Sequence, residues 1–290
     1  MRYFFHAGTV QTIQTAAAGG MGFVEVSLDL NLSCPRFELQ DNCLVLDKTW
    51  QVDLHELEPI ASMPQKVFVL SREGLFPIEV RADGYYKLVP TDTAPTLEIN
   101  GIKMHRSKEM DPLADARMKT KLVVKPNDLV LDTCGGLGYS ALFALKAGAQ
   151  KVVSVEKSRP VLQIRGQNPW LPADDRIQLV QADVTQYIRD LDDLTFDAVI
   201  HDPPRFTSAF GELYGKEFYH QLFRVMKPVS RLFHYTGNPQ KIKHPDRFIQ
   251  NTIKRLEQAG FKQLVFKDQV QGIHGLKAPL GKSFYLERQK

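Results

Sequence analysis

The stretch Leu129-Val-Leu-Asp-Thr-Cys-Gly-Gly-Leu-Gly-Tyr-Ser-Ala141 constrains this chain more than any other. An apolar run of β type ends on Asp132, a glycine-rich turn follows, and an Ala/Leu-rich helical pattern begins at once. Gly135, Gly136 and Gly138 carry no Cβ, so the backbone can turn tightly and a ligand can approach the N–H groups of the next helix. The same pattern also serves as a plain strand–helix connection, and the residues downstream have to separate the two readings.

Downstream, strand and helix patterns alternate. The expected strands are Leu129–Asp132, Val152–Glu156, Ile177–Gln181, Phe196–His201, Arg231–Tyr235, Gln263–Phe266 and Ser283–Glu287. Helical spacing fills Tyr139–Ala147, Pro160–Gln167, Val184–Leu191, Glu217–Met226 and Phe248–Ala259. Such alternation predicts crossover units, hence an α/β fold with a mostly parallel sheet and helices on both faces. A loop, Asp268–Leu280, joins the last two strands, so the seventh strand is expected to be antiparallel.

The first part of the chain reads differently. Phe23–Leu30, Phe37–Leu39, Cys43–Leu46, Lys66–Leu70, Pro77–Val80 and Tyr85–Val89 are short alternating runs separated by turn residues, as in a small antiparallel β-domain. A strand at 96–106 and a helix at 111–124 follow, which sets the domain boundaries at 1–112 and 113–290. Charge divides in nearly the same place. Residues 1–115 carry a net −6 and residues 116–290 a net +10, so an anionic partner, if there is one, belongs to the second half. A solvated basic surface is the plainer explanation. Cys34, Cys43 and Cys134 are too few and too scattered for a disulfide framework or a cysteine-based metal site, and no metal is expected. No apolar stretch would span a bilayer and no secretory leader is visible, so a cytoplasmic protein without a membrane partner is expected.

In an open parallel sheet, ligands sit at the carboxyl ends of the strands. There the chain places Asp132, then Glu156, then Asp183-Val184, then His201-Asp202-Pro203-Pro204. Glu156 lies twenty residues after the turn, where a carboxylate can accept from ribose hydroxyls; capping a helix is its alternative. Asp183 can accept from an adenine amino group or cap the helix at Val184. Gly136-Leu-Gly138 also suits a nicotinamide dinucleotide. An acid directly before the turn would face a pyrophosphate unfavourably, however, and would welcome a sulfonium. The balance favours S-adenosylmethionine as cofactor.

Residues 129–235 resemble a class I S-adenosylmethionine-dependent methyltransferase, whose Rossmann-like sheet has seven strands with the last antiparallel. The resemblance implies that Gly136 and Gly138 flank the methionine part, that Glu156 holds the ribose, and that Asp183 and Val184 meet the adenine. Asp132 would orient the loop near the positive centre. Asp202-Pro203-Pro204 resembles the Asp/Asn-Pro-Pro-aromatic motif of amino-group methyltransferases, in which the acid and a backbone carbonyl accept from the target amine. Arg205 departs from it, replacing the aromatic residue that stacks a base, and suits a carboxylate or phosphate on the acceptor. Phe206 is a substitute for that aromatic, and His234 is a candidate base, with a satisfied structural histidine as the plainer alternative for it as for His105 and His201. Cysteine-based carbon methylation is disfavoured, since no cysteine follows position 134.

Two further resemblances extend the reading. Phe23–Leu30, Ile102–Arg106, Leu131–Tyr139, Asn168-Pro-Trp170, His201–Arg205, Gly211–Tyr214 and Leu232–Gly237 are similar to a family of predicted archaeal methyltransferases. Leu97–Gly101, Leu213–Leu222 and Lys227-Pro228 resemble parts of spermidine synthases, which place a small β-domain before such a sheet and transfer an aminopropyl group from decarboxylated S-adenosylmethionine. The expected function is therefore methyl transfer to an acceptor nitrogen or oxygen. An aminopropyltransferase and a non-catalytic binding module are the alternatives. The acceptor is a small molecule or an RNA, and a homodimer stays open. His105 with Arg106 is expected to converge with His201 and His234 if the β-domain folds over the sheet edge, Trp170 either borders the cleft or is packed, and Glu212 and Tyr214 are expected to form a lid.

Overall fold

The computed structural model describes residues 2–106, 110–206, 208–237 and 245–278. The chain divides into two compact units, Met1–Leu113 with Pro160–Pro172, and Ala114–Arg159 with Ala173–Lys290. Among the described residues no helix is long and apolar enough to cross a membrane.

The first unit runs β1 (Tyr3–Phe5), α1 (Ala7–Ala18), β2 (Phe23–Glu25), β3 (Arg36–Gln40), β4 (Cys43–Asp47), β5 (Trp50–Asp53), α2 (Leu54–Ala61), β6 (Phe68–Ser71), β7 (Gly74–Pro77), β8 (Glu79–Arg81), β9 (Tyr85–Val89), β10 (Thr96–Ile99) and β11 (Ile102–Lys103). Its three sheets, ordered β1-β6-β7, β2-β3-β4-β5 and β11-β10-β9-β8, are antiparallel throughout. The expectation of β structure holds but omits two helices. Val10, Ile13 and Ala16 recur at helical spacing along α1 and are buried with Leu57 and Ile60 of α2. The start of α1 is concealed because its cap is His6, whose ring accepts from Gly8 N while Thr9 Oγ1 accepts from His6 N. Histidine is not among the favoured cap residues.

The second unit follows α3 (Pro112–Val123) with β12 (Leu129–Asp132), α4 (Tyr139–Lys146), β13 (Lys151–Glu156), α5 (Arg159–Arg165), β14 (Ile177–Gln181), α6 (Val184–Tyr187), β15 (Phe196–His201), α7 (Lys216–Val225), β16 (Met226–Tyr235), α8 (Pro245–Ala259), β17 (Phe261–Lys267) and β18 (Gly272–Lys277). Most of α5, with the segment up to Pro172, groups with the first unit. The seven strands lie in the order β14-β13-β12-β15-β16-β18-β17. β12 to β16 pair in parallel, whereas β18 is antiparallel to both its neighbours. This is the class I methyltransferase sheet. Period-two alternation divides its two cores. Leu131, Val199 and Leu232 pack with α7 and α8 residues such as Leu222 and Leu256, while Val130, Ala198, Ile200 and Phe233 face Val123 of α3 and Ala141 and Ala144 of α4.

The seventh strand needs correction. It is Gly272–Lys277, inside the stretch expected to be a loop, and Ser283–Glu287 lies outside the described residues. Two glycines disguise it. At Gly272 a Cβ would come 2.6 Å from the Phe233 ring, so the glycine marks close contact between β18 and β16 rather than a turn.

Candidate active site

β12 is the switch point of the sheet: β13 and β14 lie to one side of it, β15 and β16 to the other. Because these strands are parallel, their carboxyl ends share one edge, with Asp132 level with Ser154 and Ile200, and His201 level with His234. Ligands in such sheets bind in the crevice at this point.

The glycine loop leaves β12 there. Gly136 and Gly138 both adopt positive φ, 48° and 88°, and Gly138 opens α4 as its N-cap residue. A Cβ at Gly136 would meet nothing within 4 Å, so the loop borders open space. Glu156 ties the loop to β13. Its Oε2 accepts from Gly136 N at 2.9 Å and its Oε1 from Ser158 N at 2.8 Å. A carboxylate has about four lone-pair sites, so each oxygen keeps one for a ligand hydroxyl. Asp132 is fully buried beneath the loop and accepts from Ser154 Oγ at 2.8 Å.

Asp183 is occupied at both oxygens. Oδ1 accepts from Thr185 N and Thr185 Oγ1 at 2.9 and 2.7 Å, and Oδ2 pairs with Lys157 at 2.8 Å. Burial pushes its carboxyl up, but the Lys157 and Thr185 bonds outweigh burial and hold it below the ordinary value. The helix-cap role is thus realised. Val184 puts its side chain into the core.

Across the crevice, Asp202 follows β15 and remains 24% exposed at its side chain. Its Oδ2 pairs with Lys119 Nζ at 2.8 Å, and the same ammonium pairs with Asp115 at 2.7 Å, one helical turn away on α3. Lys119 is almost completely buried and lies 4.4 Å from the centre of the Tyr235 ring. Burial alone would lower the Lys119 pKa, but the two carboxylates outweigh it and raise it, so the side chain stays charged. Burial raises Asp202, with Lys119 opposing and Asp115 reinforcing, because one ammonium is shared by two acids. Asp115 and Lys119 escape the sequence reading. The available signal was an opposite-charge pair at i,i+4, which in a sequence reads the same as a solvated one.

Pro203 is buried and Arg205 and Phe206 are exposed. Tyr214, expected in a lid, is instead fully buried and donates its hydroxyl to the Pro204 carbonyl at 2.9 Å, anchoring the loop from below, whereas Glu212 is exposed. Phe206 rests edge-on against Tyr214, with ring centres 5.4 Å apart. His201 Nε2 lies 2.9 Å from the Leu213 carbonyl, so it carries the hydrogen, and Nδ1 accepts from Thr133 Oγ1 at 2.7 Å. Burial holds the His201 pKa down at about 4, partly offset by that carbonyl. His234 is also fully buried, with Nε2 2.6 Å from the Tyr219 hydroxyl. Burial, then the neighbouring His201, keep its pKa well below the ordinary value. His234 is therefore a neutral packed ring without access to an acceptor, and this is the departure from its expected role as a base. In the first unit, His105 Nδ1 meets Thr96 Oγ1 at 2.9 Å, and Trp170 donates to the Leu30 carbonyl at 2.7 Å, its packed alternative.

No family model matches the chain. It is 41% identical over 224 residues to the uncharacterized protein MJ1233 of Methanocaldococcus jannaschii, covering 76% of this chain and 77% of that protein. Over 158 residues it is 29% identical to the ribosomal RNA large subunit methyltransferase I of Vibrio parahaemolyticus, covering 48% of this chain but 40% of that protein. Among solved structures, spermidine synthase from Thermotoga maritima superimposes with a TM-score of 0.55 at 21% identity, covering 70% of this chain and 72% of that one, a likeness of fold.

Proposed function

We propose, from the premise that this chain belongs to the same family as MJ1233 of Methanocaldococcus jannaschii, that it is an S-adenosylmethionine-dependent methyltransferase acting on an acceptor nitrogen or oxygen. The observation that carries the reading is the Gly136–Glu156 arrangement at the switch point: open space over a positive-φ glycine, beside a carboxylate fixed by two backbone N–H groups with lone pairs to spare. S-adenosylmethionine, when bound, would supply an electrophilic sulfonium methyl. Glu156 would hold the ribose hydroxyls, the loop at Gly136 and Gly138 would flank the methionine part, and the buried Asp132 carboxyl would lie near the positive centre.

Asp202 Oδ1 is the carboxylate oxygen not paired with Lys119, and it would accept the hydrogen of the acceptor N–H or O–H. That contact aims the acceptor's lone pair in line with the transferred carbon, so the chain contributes chiefly orientation. Arg205, exposed at the loop's end, would contact an anionic part of the acceptor. An RNA acceptor is supported by the partial likeness to a ribosomal RNA methyltransferase and by the net +10 of residues 116–290. RNA binding at low salt that weakens steeply with added salt is the expected result, and none at low salt would point to a small molecule.

Isothermal calorimetry with S-adenosylmethionine and its demethylated product tests the cofactor. Absence of binding by either would sink the proposal. The spermidine-synthase-like segments favour a second reading, aminopropyl transfer, and much tighter binding of decarboxylated S-adenosylmethionine would install it instead. Replacing Asp202 by Ala separates an enzyme from a binding module. An enzyme loses turnover and keeps cofactor affinity, whereas a module keeps its biological activity.

A further inference from the structure

Lys119 has no place in the sequence motifs, yet it pairs directly with Asp202 on the acceptor side. It is a buried lysine whose ammonium is shared between Asp115, 4% exposed at its side chain, and Asp202, 24% exposed. The Tyr235 ring closes the third side at 4.4 Å. A lysine held this way does not swing out into water as a surface partner would, since leaving would strand two acids in a low-dielectric site. It therefore fixes the Asp202 carboxylate through Oδ2 and offsets part of the charge that the two acids would otherwise present.

We infer that Lys119 is a positioning and specificity-determining residue that holds Asp202 as a partly compensated hydrogen-bond acceptor and so excludes polycationic amines from the acceptor site. The inference rests on the methyl-transfer reading and narrows its substrate class. A diamine needs uncompensated carboxylates. Here the Asp115–Lys119–Asp202 cluster carries a single net negative charge, partly buried, and the exposed Arg205 adds a positive charge at the end of the same loop. Acceptors with a neutral N–H or O–H next to an anionic group fit this arrangement; putrescine and spermidine do not.

Putrescine titrated into the 290-residue chain, loaded with demethylated cofactor product, is the test. Wild type should show no saturable binding up to about 1 mM. The D115N/K119M double variant removes the ammonium together with the more buried acid, so it leaves Asp202, 24% exposed at its side chain, as the one acid of the cluster and without the lysine. It should gain putrescine affinity at least about tenfold, equivalent to about 1.4 kcal/mol, and lose that gain when D202N is added. K119R, which keeps the positive charge, should behave like wild type. A merely structural lysine would not produce a gain of binding that depends on Asp202. Putrescine binding by wild type would overturn the inference without any variant, as would a folded double variant that still fails to bind. Product binding by wild type, measured first, belongs to the methyltransferase reading, so failure of the two is seen separately.

Discussion

Removing the Glu156 carboxylate should damage cofactor affinity by an amount that can be worked from its contacts. Each oxygen already accepts one backbone N–H, from Gly136 at 2.9 Å and Ser158 at 2.8 Å, which leaves one acceptor site on each for the two ribose hydroxyls. A hydrogen bond to a charged group contributes about 1.5–3 kcal/mol. Taking the lower figure for both gives roughly 3 kcal/mol, a loss of about 150-fold in affinity for E156A. E156Q is not a mild control, because its NH2 group must point at either Gly136 N or Ser158 N and set donor against donor. A loss of more than about tenfold is expected there too. Calorimetric titration with the demethylated product, alongside thermal unfolding to verify the fold, measures both. A change of less than about threefold in E156A would refute a ribose contact at this carboxylate.

Three other outcomes follow from the geometry. Gly136→Val should abolish cofactor binding while costing only about 1–2 kcal/mol of stability, since its side chain enters open space but must take φ 48°; intact affinity would remove the loop from the site. Tyr214→Phe deletes the bond to the Pro204 carbonyl, so a stability loss of about 1–2 kcal/mol in urea unfolding and slower turnover with unchanged product affinity are expected. Burial brings the Lys277 ammonium, which donates to the Phe223 and Met226 carbonyls at 2.7 Å, down to about 8. The unfolded chain then binds more protons above that pH, so stability should rise by about 2 kcal/mol between about pH 7.5 and pH 9.5, and K277M should flatten the rise.

The parallel half of the sheet is readable in the amino acids because each strand is a short β-branched run bounded by a helix pattern. Leu129–Asp132, Ile177–Gln181 and Phe196–His201 have the predicted bounds. Legibility fails where tertiary contact overrides local pattern. Gly272 and Gly275 look like loop residues, yet a Cβ at Gly272 would reach the Phe233 ring and one at Gly275 the Leu264 side chain. In α1 the pattern is diluted by Ala and Thr, and its cap is a histidine. At the candidate site, the places of Gly136, Glu156 and Asp202, in the turn or at strand ends, were visible in the sequence. Asp115 and Lys119 were not, because a pair at i,i+4 reads the same whether it faces water or, as here, a carboxylate 83 residues further along the chain. Tyr214 was misread for the complementary reason: its polar tip suggests access, whereas the ring is fully buried, and His234 likewise takes its packed alternative rather than the place of a base.

The order of the last three strands has a consequence for how the chain is made. Among the described strands β17 pairs with β18 alone, and β18 also supplies the outer partner of β16. As a ribosome releases the chain from its first residue onward, β17 emerges with no neighbour to join, and β16 presents a bare hydrogen-bonding edge. Both wait for Gly272–Lys277. The strand that completes the sheet is thus nearly the last described segment to be synthesised, and it must enter between two elements already formed. An edge left open for that interval is a template for pairing with another nascent copy. Chains halted before Gly272 should therefore be the aggregating species during expression, while those that reach Lys277 close the sheet in a single zipper-like step.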